Sequence, residues 1–244
     1  MIYIAIPAHD EAGTIGVLLW KVRRVMGSFG RDYQLIVLDD GSSDDTSSVL
    51  APYTGVLPLT LLRHATRRGY AASLERLLRE ANTRSAHPAS DAVVVLQGDF
   101  TEFPDGIPEL VKRIEAGADV VSPSTIRTGQ APRAVRWSRS GLPFLLRRSG
   151  LPDNLGDPFS GFRAYRMSVI RAALVTLEGE PLLTREGWAA NVELLLAVLP
   201  HARRTEAAEV AMGYHVRRRP SRFRAWVTVR QLWGLTRRAA RTAP

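Results

Sequence analysis

The sequence predicts a single α/β domain built on one mostly parallel sheet with helices on both faces. Three observations predict it. Short runs that are apolar on both faces alternate with stretches of helical periodicity, a pattern typical of parallel sheets. Carboxylates follow several of these runs directly. The 244 residues show no internal repeat and no second domain boundary before a basic C-terminal segment.

The first half of the chain carries most of the predicted elements. Its strands are Ile2–Ile6, Gln34–Leu38, Leu57–Leu62, Ala92–Leu96 and Asp119–Ser122. Its helices are Thr14–Met26, Asp44–Leu50, Gly69–Asn82 and Ile107–Ala116. Beyond Thr125 the chain is rich in Arg, Pro and Gly, with one helical stretch near 137–148. In a parallel sheet the carboxyl ends of the strands share one edge, where ligands bind.

Composition places the chain among globular proteins and restricts its chemistry. Hydrophobic residues make up 45% and charged residues 23%, and cysteine is absent, which excludes disulfides and thiolate chemistry. No basic segment precedes an apolar stretch at the N-terminus, so we expect no signal peptide. The apolar runs are too short to cross a bilayer. We therefore expect a cytoplasmic protein, either soluble or peripheral on the cytoplasmic membrane face.

The positive charge is concentrated at the C-terminus. The chain has 33 Lys and Arg against 24 Asp and Glu, and nine of the arginines lie in residues 217–244, which contain no acid. We therefore divide the chain into a domain, residues 1–216, and an amphipathic helical tail, residues 217–244. The tail's tryptophans and arginines suit an anionic membrane surface or packing on the domain with the arginines in solvent. No nucleic-acid-binding motif accompanies the charge, so no nucleic-acid partner is expected.

Two adjacent carboxylates, Asp39 and Asp40, end the second predicted strand and are followed by a glycine turn and several hydroxyls. Acids at a strand terminus are costly to bury alone, so they require water, a cation or donor groups from a ligand. Helix capping by Ser43 or Asp44 is an alternative explanation, but it accounts for one residue of the cluster only. Three further polar segments, 7–11, 97–102 and the downstream 157–166, lie where strands of such a sheet should end.

The order and spacing of these segments resemble the family 2 glycosyltransferases with the GT-A fold. Within that family the chain is most similar to the dolichyl-phosphate mannose synthases and related polyprenyl-phosphate glycosyltransferases. The resemblance runs from Ile2 to about Arg224, although His9 and Asp10 depart from the family's pattern. The residues that match are Pro7, Glu11, Asp39, Asp40, Gly41, Ser42, Arg68–Ala71, Asp157, Pro158, Ser160, Gly161, Phe162, Glu193, Tyr214, Arg217 and Ser221–Phe223.

The resemblance implies a Rossmann-like GT-A sheet, a nucleotide-diphosphate sugar as donor, and Mg²⁺ or Mn²⁺ as cofactor. A cation suits this chemistry because negative charge builds on the diphosphate as the glycosidic bond breaks. The implied donor-binding residues are Pro7, Ala8, His9, Glu11, Asp39, Asp40, Gly69, Gln97 and Gly98. The implied metal ligands are Asp99, Gln97 and Thr101. Gln97 replaces the first carboxylate of the family's Asp-x-Asp motif, so we expect weaker metal binding, with Glu102 or Asp105 as compensating acids.

The acceptor decides what further chemistry the site needs. A hydroxyl acceptor requires a carboxylate base, whereas a lipid phosphate is already ionised and needs positive charge instead. The family's Glu-Asp base pair is not visible in this sequence, which favours a phosphate acceptor. The implied catalytic residues are Asp99, Asp157, Glu193 and Arg127, and the implied acceptor-binding residues are Arg139, Ser160, Gly161 and Phe162. For a hydroxyl acceptor the base candidates are Asp157 and Glu193, followed by Glu186.

Three functions remain open at this point. The first is an inverting glycosyltransferase that moves a sugar from a nucleotide donor to a polyprenyl phosphate. The second uses the same donor with a soluble or secondary-metabolite hydroxyl acceptor. The third is a catalytically idle GT-A domain that binds a nucleotide, which the amide at Gln97 suggests. For the first two of these functions, which are enzymatic, Arg127, Arg133 and Arg139 are candidate phosphate contacts.

Overall fold

The computed structural model describes residues 1–128, 151–152, 155–177 and 179–213. Its strands are β1 (Ile2–Ala8), β2 (Tyr33–Asp40), β3 (Leu59–His64), β4 (Ala92–Val95), β5 (Val120–Thr128), β6 (Arg163–Arg166) and β7 (Thr205–Gly213). Its α-helices are α1 (Ile15–Phe29), α2 (Thr46–Leu50), α3 (Tyr70–Arg84), α4 (Ile107–Glu115), α5 (Met167–Thr176) and α6 (Trp188–Val198).

The strands form one sheet in the order β3-β2-β1-β4-β6-β5-β7. Neighbouring strands are parallel except where β6 runs antiparallel between β4 and β5. The predicted α/β class with a mostly parallel sheet is therefore confirmed. Because β6 is reversed, its first residue, Arg163, pairs with the last residue of β4, Val95. The start of β6 thus joins the carboxyl ends of β1, β2 and β4 at one edge of the sheet, which we call the C-terminal edge.

Each face of the sheet is covered by helices that bury an apolar side. On one face α1, α2 and α4 pack against Ile4, Ile6 and Val37. On the other face α3, α5 and α6 pack against Ala5, Leu38 and other residues of the central strands. Alternate residues of each strand feed opposite faces, which explains why the strand sequences are apolar throughout. Each fully buried Ile or Leu contributes about 1.5–3 kcal/mol to this core.

Helix α1 illustrates how the sequence sets an element's bounds. Apolar side chains at helical spacing face the sheet, and these are Ile15, Leu18, Leu19, Val22 and Met26. The helix ends at Gly30, which adopts a left-handed conformation (φ 65°) and donates its N–H to Met26 O. Such a terminus favours glycine because other residues pay a steric cost there.

All five predicted strands and all four predicted helices of the first half are present, with ends shifted by a few residues. The sequence did not predict β6, β7 or α5. Several predictions lie outside the described residues: the helix near 137–148, Arg133, Arg139, the matches from Tyr214 onward and the tail 217–244. The side chain of Arg127 also lies outside them. Within the described ranges, no helix is both long and apolar enough to cross a bilayer.

Candidate active site

The segment that follows β1 is held against the loop that follows β2. Asp10 N donates to Ser42 Oγ (2.9 Å), and Ser43 N donates to Asp10 Oδ1 (2.8 Å). Asp10 has a positive φ of 54°, a conformation that Asp tolerates better than most residues. Glu11 N donates to Thr46 Oγ1 (2.8 Å). These bonds fix the main chain of 8–11, which carries the predicted donor contacts Ala8, His9 and Glu11.

Asp39 is buried at the end of β2, with 1% of its surface exposed. Its Oδ1 accepts a hydrogen bond from Ser42 N (3.0 Å), and its Oδ2 accepts one from the Ser47 hydroxyl. Arg63 Nε lies 3.5 Å from the same Oδ2. Asp39 therefore shapes the turn that follows β2 and pairs with an arginine at the exposed rim. Its predicted contact with the donor stays a prediction.

Asp40 anchors the loop that leads into α3. Its carboxylate accepts hydrogen bonds from Arg68 N (2.8 Å), Gly69 N (2.8 Å) and His64 Nδ1 (2.7 Å). Burial alone would raise the pKa of Asp40, but these three hydrogen bonds outweigh it and hold the pKa below its ordinary value. What the geometry shows is a carboxylate that positions the Gly69 turn. Direct contact between Asp40 and a donor remains a prediction.

Gly69 begins α3 in a conformation that excludes a side chain. Its φ is 95°, and an added Cβ would stand 2.6 Å from Glu186 Oε1. Glu186 Oε2 accepts the N–H of Tyr70 (2.9 Å), so this carboxylate caps the start of α3. Burial is the main cause that raises the pKa of Glu186 above its ordinary value. Glu186, the third-choice base, is therefore engaged in capping.

The predicted metal segment follows β4 directly. Asp99 Oδ1 accepts the N–H of Thr101 (3.0 Å), which turns the chain back towards the sheet. The Thr14 hydroxyl donates to Gly98 O (3.0 Å) and lies 3.0 Å from Glu11 Oε2, so the segments after β1 and β4 meet. The structure therefore brings the predicted donor residues Glu11 and Gly98 together at the C-terminal edge.

The donor set at this segment suits a cation that takes most of its ligands from its substrate. Across the described ranges, no group of three or more His, Asp or Glu side chains is arranged to hold a metal. Asp99 supplies one carboxylate, and Mg²⁺ is commonly held by one or two carboxylates together with phosphates and waters. The Thr101 hydroxyl is buried and has no hydrogen-bond partner among the described residues. Asp99 with a diphosphate and water is thus the set that fits.

The side chain of Gln97 lies beside Gly161, one of the predicted acceptor residues. An added Cβ on Gly161 would stand 2.9 Å from Gln97 Nε2 and 3.0 Å from Tyr70 Oη. The amide therefore packs against the Ser160–Gly161 turn, next to the start of α3. A methyl group at position 161 would therefore require the Gln97 amide or the Tyr70 hydroxyl to shift.

The acceptor-side segment precedes β6, so the reversed direction of that strand brings it to the C-terminal edge. Asp157 Oδ1 accepts the N–H of Phe159 (3.0 Å), and Ser160 Oγ accepts the N–H of Phe162 (3.2 Å). Phe162 is fully buried in the core. The predicted acceptor residues Ser160, Gly161 and Phe162 thus lie beside Gln97 at the end of β4. Phe162 acts as the apolar anchor of the segment.

Glu193, a predicted catalytic residue, lies on α6 and holds the preceding loop. Its carboxylate accepts hydrogen bonds from the Thr184 hydroxyl (2.6 Å), Thr184 N (2.8 Å) and Arg185 N (2.8 Å). This loop presents Glu186 to α3. Glu193 is therefore occupied as a loop anchor, and its catalytic role stays a prediction.

Glu102 lies behind the metal segment and is 2% exposed. Its Oε2 accepts the N–H of Gln97 (2.9 Å), and its carboxyl group is also hydrogen-bonded to the N–H of Phe162. Burial, reinforced by the negative charges of Asp99 and Asp157, raises the pKa of Glu102 to about 8 although both hydrogen bonds oppose the shift. The acid that the sequence offered as compensation for Gln97 thus joins the end of β4 to the acceptor-side segment.

The stability of the protein is expected to fall as the pH rises through about 8. The pKa of Glu102 is higher in the folded protein than its ordinary value of 4.5, so the folded state binds this proton more tightly. The stabilisation is complete below about pH 4.5 and is lost as the pH passes about 8. Urea unfolding across this range measures the loss.

A matched pair of variants isolates the contribution of Glu102. Glu102→Gln should flatten the pH dependence of the unfolding free energy between pH 4.5 and about 8, whatever its effect on absolute stability. Glu180→Gln, a change at an exposed position, should leave the wild-type slope intact. A Glu102→Gln slope equal to the wild-type slope would contradict the assignment.

Sequence reasoning assigned no individual role to three polar residues of the site: Tyr70, which is partly buried, and Arg163 and Asn191, which are buried. Tyr70 Oη donates to Asn191 Oδ1 (2.8 Å), and burial is the main cause that raises the pKa of Tyr70. Asn191 Nδ2 donates to Phe159 O (3.0 Å). The sequence singles out the stretches that hold or adjoin Tyr70 and Arg163, whereas Asn191 lies on a largely apolar helix and carries no sequence signal.

Comparison with known proteins agrees with this geometry. The family model described as "Glycosyl transferase family 2" matches residues 3–174. The undecaprenyl-phosphate 4-deoxy-4-formamido-L-arabinose transferase of Klebsiella pneumoniae (strain 342) is 28% identical over 174 residues, which cover 70% of this chain and 50% of that protein. The enzyme of the same name from Edwardsiella ictaluri (strain 93-146) is 30% identical over 178 residues, again covering 70% and 50%. The chain spans about half the length of the curated relatives it matches.

Solved structures show the same fold at low sequence identity. Glucosyl-3-phosphoglycerate synthase from Mycobacterium tuberculosis in complex with UDP superposes with a TM-score of 0.67 and 20% identity, covering 97% of this chain and 80% of that one. The same enzyme with Mn²⁺, UDP-glucose and phosphoglyceric acid gives a TM-score of 0.62 and 20% identity, covering 98% and 77%. These likenesses confirm the predicted GT-A fold. Because the family model matches well over half of the chain, this protein belongs to glycosyl transferase family 2.

Proposed function

We propose that this chain is an inverting glycosyltransferase that moves a sugar from a nucleotide-diphosphate sugar to a polyprenyl phosphate. One observation carries the proposal. The segments after β1, β2 and β4 meet the segment before β6 at the C-terminal edge, where Gln97 contacts Gly161. In this proposal the donor-binding and acceptor-binding residues therefore adjoin within a few ångströms, as transfer between two bound substrates requires.

The donor side is the better fixed of the two. Hydrogen bonds hold the main chain of residues 8–11 and the turn after Asp39, so the rim that receives the nucleotide is formed before it binds. Asp40 holds the Gly69 turn through two backbone N–H groups. A rim fixed in advance lowers the ordering cost of binding. In this proposal Ala8, His9, Glu11 and Gly98 contact the donor, and Asp39 and Asp40 position the loops that do.

A divalent cation, Mg²⁺ or Mn²⁺, would be held by Asp99 together with the donor's diphosphate. When bound, it supplies positive charge to the leaving group. Structural neighbours crystallised with Mn²⁺ and UDP-glucose support this assignment. The chain's own part is to orient Asp99, which the bond from Thr101 N does, and to exclude water behind it, which buried Glu102 and Phe162 do.

The acceptor is proposed to be a lipid phosphate because two of the three candidate bases are engaged elsewhere. Glu193 holds the 184–185 loop, and Glu186 caps α3. A hydroxyl acceptor needs a carboxylate that can take its proton, whereas a phosphate oxygen is already a nucleophile. The curated relatives named undecaprenyl-phosphate transferases support the same choice. Arg127 and Arg139 are proposed phosphate contacts, and the basic tail 217–244 is proposed to rest on the anionic cytoplasmic face of a membrane.

The experiment offers the purified full-length chain a panel of UDP-, GDP- and dTDP-sugars with Mn²⁺. Each donor is combined with undecaprenyl phosphate or with phosphoglyceric acid, the compound present in one structural neighbour. The proposal expects a glycosylated undecaprenyl phosphate and no product with phosphoglyceric acid. Transfer to phosphoglyceric acid alone would establish the soluble-acceptor function. If no sugar is transferred to either acceptor and calorimetry detects no nucleotide binding, the enzymatic assignment is overturned.

A further inference from the structure

Arg163, the first residue of β6, is fully buried and makes four hydrogen bonds within the protein. Its Nε donates to Ser122 Oγ (2.7 Å), and its Nη2 donates to Asp157 O (3.0 Å). Its Nη1 donates to Tyr165 Oη (3.1 Å) and, at a longer 3.4 Å, to Asn191 O. One guanidinium thus connects two strands, the helix α6 and the first residue of the acceptor-side segment.

All four acceptors of Arg163 are neutral oxygen atoms: a hydroxyl, a phenol and two backbone carbonyls. Among the described residues, Arg163 forms no ion pair with an Asp or Glu, unlike Arg113, Arg166 and Arg204. Burying a cation without an anion is costly, so buried arginines are ordinarily paired. The neutral partners satisfy the donors and leave the positive charge behind the acceptor-side segment uncancelled at close range.

The groups that Arg163 holds belong to the acceptor side. Asp157 O marks the start of the 157–162 segment, and Asn191 in turn binds Tyr70 Oη and Phe159 O through its side chain. Fixing Asp157 and Asn191 therefore fixes the walls around Gly161. The other arginine of β6, Arg166, is anchored comparably but at the opposite end of the strand, to Asp119 and to carbonyls of Ala89, Ile114 and Ala118.

We propose that Arg163 is a positioning residue for the acceptor: its guanidinium clamps the 157–162 segment, and its uncancelled charge favours an anionic group bound there. The effect of the charge, which we call the charge half of this proposal, rests on the proposed phosphate acceptor. The effect of the hydrogen bonds on the 157–162 segment, which we call the clamp half, does not. A lysine cannot reproduce the clamp, because a single ammonium cannot reach four acceptors arranged around a planar fork.

The clamp is tested in the ligand-free protein by amide hydrogen exchange at Asp157, Phe159 and Phe162, compared between wild type and Arg163→Lys. Loss of hydrogen bonds from a charged donor should speed exchange at these amides by about tenfold or more. Arg166→Lys is the matched control, since it perturbs the same strand away from the site, and its exchange at these amides should stay within about twofold of wild type. Equal acceleration by both variants, or none by Arg163→Lys, would overturn the clamp.

Tyr165→Phe provides a second variant in case Arg163→Lys does not fold. It removes one anchor of the guanidinium without touching the 157–162 segment, so a smaller acceleration at the same three amides is expected. Unchanged exchange in this variant would count against the clamp in the same way.

The charge is tested with farnesyl phosphate as the acceptor probe. Arg163→Lys should raise the KM for farnesyl phosphate about fivefold, Arg163→Gln should raise it further, and both should leave the KM for the nucleotide sugar within about twofold. Equal KM values for the Lys and Gln variants would overturn the charge half. If the wild-type chain transfers nothing to farnesyl phosphate or to undecaprenyl phosphate, the proposed function fails, and the exchange measurement still decides the clamp.

Discussion

Replacing Asp99 by asparagine is expected to lower metal-dependent turnover of the nucleotide sugar by at least about 100-fold. The asparagine side chain retains an oxygen that can accept the N–H of Thr101, so the turn after β4 should persist. What is lost is the negative charge that holds the cation against the diphosphate. With a glutamine at position 97, the described part of the chain offers Asp99 no carboxylate partner in an Asp-x-Asp arrangement, so little compensation is expected. The release of nucleoside diphosphate at increasing Mn²⁺ concentration measures the effect.

Asp105→Asn is the matched control for this substitution. Asp105 follows in the same stretch of chain but forms a partly exposed ion pair with Lys21 (2.8 Å), on the α1 side of the molecule. Its replacement should leave turnover within about twofold of wild type, since exposed ion pairs contribute little. Full metal-dependent activity in Asp99→Asn would show that the cation is held elsewhere.

Replacing Gly41 by alanine is expected to destabilise the fold by about 3 kcal/mol and to abolish tight donor binding. The φ of Gly41 is 60°, where an alanine pays a steric cost, and an added Cβ would stand 2.6 Å from Arg67 N and 2.7 Å from Thr66 C. Backbone atoms cannot rotate away as a side chain can. Relief therefore requires the loop before α3 to move, which would break the bonds from Arg68 N and Gly69 N to Asp40.

Gly30→Ala separates the conformational cost of alanine at Gly41 from the cost of the clash with the 66–67 backbone. Gly30 has a similar φ of 65°, but nothing lies within 4 Å of its added Cβ, so only the conformational cost of about 1 kcal/mol applies. For a chain of this length we expect the melting temperature to fall by about 6–12 °C in Gly41→Ala and about 2–4 °C in Gly30→Ala. Equal decreases in the melting temperature of the two variants would mean that the 66–67 backbone moves easily to relieve the clash. Calorimetric titration with UDP and Mn²⁺ should show weaker binding in Gly41→Ala alone.

Local patterns predicted the first half of the fold well because strands and helices alternate there and each has a clear pattern of apolar residues. Buried runs such as Ile2–Ile6 are apolar on both faces, and α1 shows a clear helical stripe. The strand β6 escaped prediction because its four residues, Arg163–Arg166, include two arginines. Charged residues in a sequence usually indicate a solvent-exposed segment. Here tertiary hydrogen bonds hold both arginines in the sheet.

The location of the candidate site could be predicted from the sequence, but the contacts that each of its residues makes could not. Strand ends placed Glu11, Asp39 and Asp99 at one edge, and the reversed β6 added Ser160 and Gly161. The sequence could not show that Asp40, Glu186 and Glu193 use their carboxylates to hold backbone N–H groups. Such bonds depend on loops that approach from distant parts of the chain, and no local pattern encodes them. The structure therefore shifts these acids towards positioning roles.

The reversal of β6 has an evolutionary consequence. The proposed donor-binding residues all lie between Pro7 and Gly98, whereas the proposed acceptor-binding residues of the described part of the chain lead into β6, a short strand that runs antiparallel to β4. The two halves can consequently diverge under separate selection. Substitutions in the chain that leads into β6 are therefore expected to change the acceptor while the proposed binding of the nucleotide sugar stays intact.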